Sequence, residues 1–142
     1  MSSNAALKLT TISLSAIALA STAILWQPAK VSAQAAPNTA AFYTANVKPI
    51  FDKNCYRCHG NGAHKGGLAL DTQAGMMKGG KDGAVISPGH PEDSLLIKLI
   101  RHEGPADDPM PMPPKGDKIS DADIATVTAW VKAGAVMPPD AQ

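Results

Sequence analysis

Asn54-Cys55-Tyr56-Arg57-Cys58-His59-Gly60 is the stretch on which the reading of the whole chain turns. Two cysteines three positions apart lie on one side of a tight helical turn, so both sulfurs can meet the same edge of a flat cofactor. The histidine that follows can swing over its face. Cys-x-x-Cys-His is the spacing through which c-type haem is attached, the sulfurs bonding two vinyl groups on one porphyrin edge and the imidazole taking the iron. Cys55, Cys58 and His59 are therefore the candidate attachment and proximal-ligand residues for one covalently bound haem c and its iron. Competing cysteine chemistries fit less well. A structural zinc site wants four ligands, yet the chain has no further cysteine, and His64, His90 and His102 lack paired spacing. A thioredoxin-like pair wants a βαβ setting, of which the sequence gives no sign.

Iron has a second axial position, and the candidates for it rank by their setting. Met112 stands in Met112-Pro113-Pro114, within a run from 105 to 114 whose repeated prolines fix φ and deny both helix and sheet. Such a stiff strap holds a thioether over the far face of the ring at small entropic cost. Met110 is two residues away, and residues two apart on an extended strap point in different directions, so only one of the pair should face iron. Met112 is the expected distal ligand, ahead of Met110, of a histidine (His90, His102 or His64) and of an open site. Met137 follows the last expected helix and reads as tail packing, while Met76 and Met77 read as gap-filling core. His64 reads as a solvated loop residue, His90 as a turn residue before Pro91, and His102 as a charge serving a helix C-terminus.

Working outward, Phe42, Val47, Ile50 and Phe51 fall roughly at helical spacing, but Pro49 lacks an N–H and would clash with the Ala45 carbonyl. This predicts a kinked helix, or a short one starting near Lys48. Residues 60 to 89 are glycine-rich and aperiodic, a loop with at most one short helix around Thr72 to Met77. A loop of that length inside a small domain needs something to wrap around. Pro91, Glu92 and Asp93 suit a helix start, with Leu95, Leu96, Leu99 and Ile100 on its buried face, Lys98, Arg101 and His102 at its end, and Gly104-Pro105 as its stop. Ser120 caps a last helix to Lys132, with Ile124, Val127 and Val131 inside and Gly134 as the stop. Trp130 reads as core, with a contact from its indole N–H to a haem propionate as the alternative. With no strand pattern and no repeat, the class is all-α: three or more short helices and long loops around one haem.

Composition agrees. The chain has 142 residues, enough for one domain, but only 4% are aromatic while glycine and proline contribute 12 each. Side chains alone would pack a thin core, which a large apolar cofactor would fill. A net charge of +1 gives no reason to expect nucleic-acid binding. Lys8, the apolar run from Leu9 to Trp26 and Val31-Ser32-Ala33 read as a signal peptide over residues 1–33, cleaved after Ala33; retained, it would be a membrane anchor. Residues 34–41 then form a flexible leader and 42–142 the domain. Residues 34–81 hold six lysines and arginines against two acids, whereas 82–142 hold five against ten. The first stretch carries the cysteines, so a basic docking face for an acidic redox partner is expected.

With those residues in place the chain resembles a class I cytochrome c, and in particular the small Planctomycete-type cytochrome c domain. The resemblance runs from residue 42 to about 137. It rests on Val47-x-Pro49-Ile50-Phe51, Cys55 to Gly60, Gly67-Leu68-x-Leu70-Asp71, Gly79-Gly80, Pro88-Gly89-x-Pro91-x-x-Ser94-x-Leu96, Met112-Pro113-Pro114, Ser120-x-x-Asp123-Ile124 and Trp130-Val131-x-x-Gly134-Ala135. Met110-Pro111 ahead of the Met-Pro-Pro departs from the family pattern. The resemblance implies first and last helices crossing beside one haem, thioethers at Cys55 and Cys58, and His59 and Met112 on the iron. The expected function is that of an exported, periplasmic, monomeric mono-haem carrier passing single electrons between redox proteins, and not that of an enzyme. A haem enzyme or gas sensor with an open or displaceable distal position is the alternative, as is an electron-entry subunit of a larger complex.

Overall fold

In the computed structural model the described residues are 35–104 and 110–139; the expected signal peptide and part of the proline strap lie outside them. Nearly all regular structure is helical. The first helical stretch begins at α1 (Ala40–Phe42), two residues ahead of the expected start. The Thr39 side chain caps it by accepting from the Phe42 N–H at 3.1 Å. The backbone then widens into a π-helical turn, Tyr43–Val47, before α2 (Lys48–Asn54). That widening is how the chain accommodates Pro49. The Lys48 N–H reaches back five residues to the Tyr43 carbonyl, and the proline falls at the start of the next helix, where a missing N–H costs least.

A one-turn helix, α3 (Tyr56–His59), follows, and then a feature the sequence reading did not anticipate. His59 pairs with His64 and Gly60 with Ala63 in a short antiparallel ladder, its strand β1 being Ala63–His64. The turn between them is Asn61-Gly62, with φ of 51° and 85°. Positive φ at both central residues is what a two-residue hairpin turn demands, and Asn-Gly meets it cheaply. The loop beyond holds α4 (Gln73–Lys78), close to the short helix expected there, capped by Thr72 through the Gly75 N–H at 3.0 Å.

The helix expected from Pro91 is broken. Pro91–Asp93 makes one 3₁₀ turn, Ser94 is extended, and α5 (Leu95–Ile100) starts afresh. Buried Ser94 accounts for the break. Its hydroxyl lies 3.0 Å from the His90 carbonyl and accepts the Ser87 N–H at 2.9 Å, a local alternative to helical pairing. Nor does α5 run on to Gly104. His102, at φ 59°, takes the left-handed position of a Schellman cap: its N–H donates to the Leu99 carbonyl and the Glu103 N–H to that of Lys98.

The last helix, α6 (Asp121–Lys132), matches expectation, with Ser120 accepting from the Asp123 N–H at 3.1 Å. Gly134 and Ala135 close it in a second Schellman cap. It packs against the π-helical turn and α5. At that crossing Trp130 is fully buried, its ring 5.5 Å from Tyr43 and 5.9 Å from Phe51. Among the described residues, Tyr43, Phe51, Tyr56 and Trp130 thus form one aromatic cluster. The Trp130 indole N–H donates to the Val136 carbonyl at 2.8 Å, so the indole is a core group and not a propionate donor.

Candidate cofactor site

The candidate attachment residues occupy the junction of α2 and α3. Cys55 ends one helix and opens the other, and its carbonyl accepts from the N–H groups of both Cys58 (3.0 Å) and His59 (2.9 Å). This turn places Cys55, Cys58 and His59 together on one cavity wall, while Tyr56 faces away into the core. The Tyr56 ring meets Phe51 at 6.0 Å, and its hydroxyl lies 2.6 Å from that of Tyr43. Gly60 permits the chain to leave the turn, because a Cβ there would stand 2.9 Å from the Tyr56 ring. The exit is then pinned: the His59 carbonyl accepts from the Leu70 N–H at 2.6 Å, and the Asn61 N–H donates to Asp71 at 2.7 Å.

The cavity encloses about 360 Å³ and is lined chiefly by apolar side chains. Leu68 and Leu70 come from the glycine-rich loop, Leu95, Leu96 and Leu99 from α5 and its start, and Ile119 from the approach to α6. Met112 and Met110 both line it as well. They differ in setting: Met112 is half-buried and its N–H donates to the Leu99 carbonyl at 3.1 Å, whereas Met110 is 46% exposed. His64, His90 and His102 lie outside the lining. His90 instead approaches Glu92 at 3.5 Å on the surface. Met76 is buried as expected, but Met77, expected in the core, is 38% exposed.

The donor chemistry fits a covalently held haem. Burial pushes the Cys55 thiol up to about 12, in keeping with its place against the apolar cavity. His59 is shifted below the ordinary histidine range, first by burial, with the Lys65 and Leu68 backbone opposing part of the shift. Its neutral imidazole is the form that binds a metal. The His59 Nδ1 is buried without a hydrogen bond of good geometry, although the Lys65 and Leu68 backbone lies near enough to favour the protonated ring.

Asn54, Lys65, Lys81 and Asp82 also line the cavity and were not assigned to the cofactor site from sequence, where Lys65 and Lys81 counted only toward the expected basic docking face. Only the paired glycines beside the two lysines, Gly66-Gly67 and Gly79-Gly80, hint that those loops approach closely.

A Cys-x-x-Cys-His turn opening on an apolar cavity, among described residues that are helix-rich with almost no sheet, is the arrangement a c-type cytochrome domain requires. Residues 55–116, a little under half of the chain, match the family model of Planctomycete cytochrome C, and this stretch is similar to a cytochrome c domain of that type. Such a domain implies covalent haem c with iron and an electron-transfer role. No curated protein and no solved structure matches the chain. Among the described residues no helix is long and apolar enough to cross a membrane.

Proposed function

We propose that this protein is an exported mono-haem cytochrome that passes single electrons between redox proteins, with Cys55 and Cys58 forming the thioethers and His59 and Met112 holding the iron. The observation that carries this reading is one apolar cavity receiving both thiols, His59 and the methionine strap. Each thiol adds its S–H across a vinyl double bond, sulfur to one carbon and hydrogen to the other, so attachment needs no oxidant. When bound, the iron supplies a one-electron Fe(II)/Fe(III) couple whose reduced state a soft thioether favours.

The chain's part is to hold these donors still and keep water from them. His59 sits on a helical turn whose exit is pinned by Leu70 and Asp71. Anchoring of its N–H to the end of α5 favours Met112 over Met110, and the leucines of the cavity exclude water. Lysines between residues 48 and 81 outnumber acids there and would draw an acidic partner toward the thioether edge, in a reaction that slows as ionic strength rises. The test is the optical spectrum of protein made with a haem-maturation system. A covalent c-type spectrum with a weak far-red sulfur-to-iron band that disappears in Met112→Ala supports the reading. Persistence of the band in Met112→Ala and its loss in Met110→Ala transfers the role to Met110, and carbon monoxide binding to the reduced wild type favours a displaceable distal ligand.

A further inference from the structure

The haem reading leaves one part of the cofactor without partners. A porphyrin tied to Cys55 and Cys58 by its vinyl edge carries two carboxylates on another edge, and a carboxylate next to apolar surface is costly unless paired. Most of the cavity offers such a group nothing. Its leucines, valine, prolines and methionines cannot donate, and His59 is the proposed iron ligand. Asn54 neighbours the cysteine edge and spends an amide hydrogen on the Ile50 carbonyl at 2.8 Å. The Trp130 indole donates to Val136, and the Tyr43 and Tyr56 hydroxyls pair with each other. Lys65 and Lys81 are the cationic side chains in the lining.

The fold brings together the two loops that carry these lysines. The Lys81 N–H donates to the Gly66 carbonyl at 2.7 Å, joining the loop after β1 to the loop after α4. Gly80 allows this approach, because a Cβ there would stand 2.7 Å from the same carbonyl oxygen. The Lys81 side chain also passes close to Gly66, its Cγ 3.9 Å from where a Cβ on that glycine would lie. Lys81 is neutralised in part by Asp82 at 3.0 Å, whereas Lys65 makes no ion pair among the described residues. Lys65, a cation beside an apolar cavity with no ion pair among the described residues, leaves positive charge for an anion to satisfy.

We infer that Lys65 and Lys81 bind the propionate carboxylates of the haem, Lys65 as the uncommitted cation and Lys81 shared with Asp82. The inference rests on the proposed haem site. It assigns the glycine pairs a purpose, which is to weld two lysine-bearing loops into one carboxylate clamp.

Proton NMR of the reduced holoprotein tests it, with carbon monoxide added if needed to make the iron diamagnetic. The expected result is a set of nuclear Overhauser contacts from the Lys65 and Lys81 Cε protons to the propionate methylenes. The propionate resonances should shift in Lys65→Gln, return toward their wild-type positions in Lys65→Arg, and stay put in Lys53→Gln, which alters an exposed lysine outside the lining. Propionate contacts to other side chains, with no response to Lys65→Gln, would overturn the assignment while leaving the haem site intact. A wild type that carries no covalent haem overturns both readings together.

Discussion

Tyr56→Phe removes one oxygen from the buried hydroxyl pair behind the cysteine turn. Tyr43 and Tyr56 are 3% and 4% exposed and their oxygens lie 2.6 Å apart, so water does not replace the lost partner. The remaining Tyr43 hydroxyl then pays its desolvation without a bond, which costs about 1–3 kcal/mol for a neutral group. In a domain of roughly 100 residues each kcal/mol corresponds to about 4–8 °C in melting temperature. Tyr43→Phe should cost a similar amount. The double variant should cost clearly less than the sum of the two, because removing both hydroxyls leaves nothing unsatisfied. The pair also sets an alkaline limit. Burial holds both phenols above their ordinary range, so the folded protein keeps protons that the unfolded chain loses near pH 10. The associated stability is complete below that pH and falls as pH rises past it, more gently in either single variant. The assay is denaturant unfolding of the matured protein at pH 7 and across pH 9–11. Two single variants within about 0.3 kcal/mol of wild type, or strictly additive losses with an unchanged alkaline slope, would refute the account of the pair.

Trp130→Phe keeps most of the ring packing but strands the Val136 carbonyl and should cost about 1–3 kcal/mol, whereas Trp130→Ala should cost about 3–5 kcal/mol; a negligible loss for Trp130→Phe in denaturant titration would contradict the hydrogen bond's role. His102→Gly relieves a side chain held at φ 59° and should stabilise by about 0.5–1 kcal/mol, with a lowered melting temperature as the adverse result. Gly60→Ala drives a methyl into the Tyr56 ring and should cost about 1–3 kcal/mol, with a reduced yield of covalent haem read from the absorbance per polypeptide.

Much of the site is legible along the chain because its chemistry is local. Cys55, Cys58 and His59 fall within five residues, and a single helical turn suffices to align them. The last helix is legible for the same reason, since Ser120, the Ile124-Val127-Val131 stripe and Gly134 all act over short separations. Pro49 announced a disturbance, and the π-helical turn is its resolution. The breaks at Ser94 and His102 were hidden because each depends on a competing hydrogen bond. The Ser94 hydroxyl's choice of His90 and Ser87 over the helix requires the folded loop, and Gly104 looked the more natural stop than a histidine at positive φ. Asn61-Gly62 carried a hairpin signal that the surrounding glycines obscured. The lysines of the cavity were illegible for a different reason: Lys65 and Lys81 are sixteen positions apart, and nothing periodic connects them before Gly66 and Lys81 pair.

The Leu99 carbonyl accepts from two amides, those of His102 and Met112, each at 3.1 Å. One oxygen thus serves both the end of α5 and the Met112 end of the strap. Opening the strap withdraws an amide from that helix end, and fraying the helix removes the strap's anchor, so the two should open as one unit below the free energy of global unfolding. In hydrogen-deuterium exchange the Met112 and His102 amides should then show matched protection. Denaturant should release them together with the iron–sulfur band, before the amides of α6 exchange.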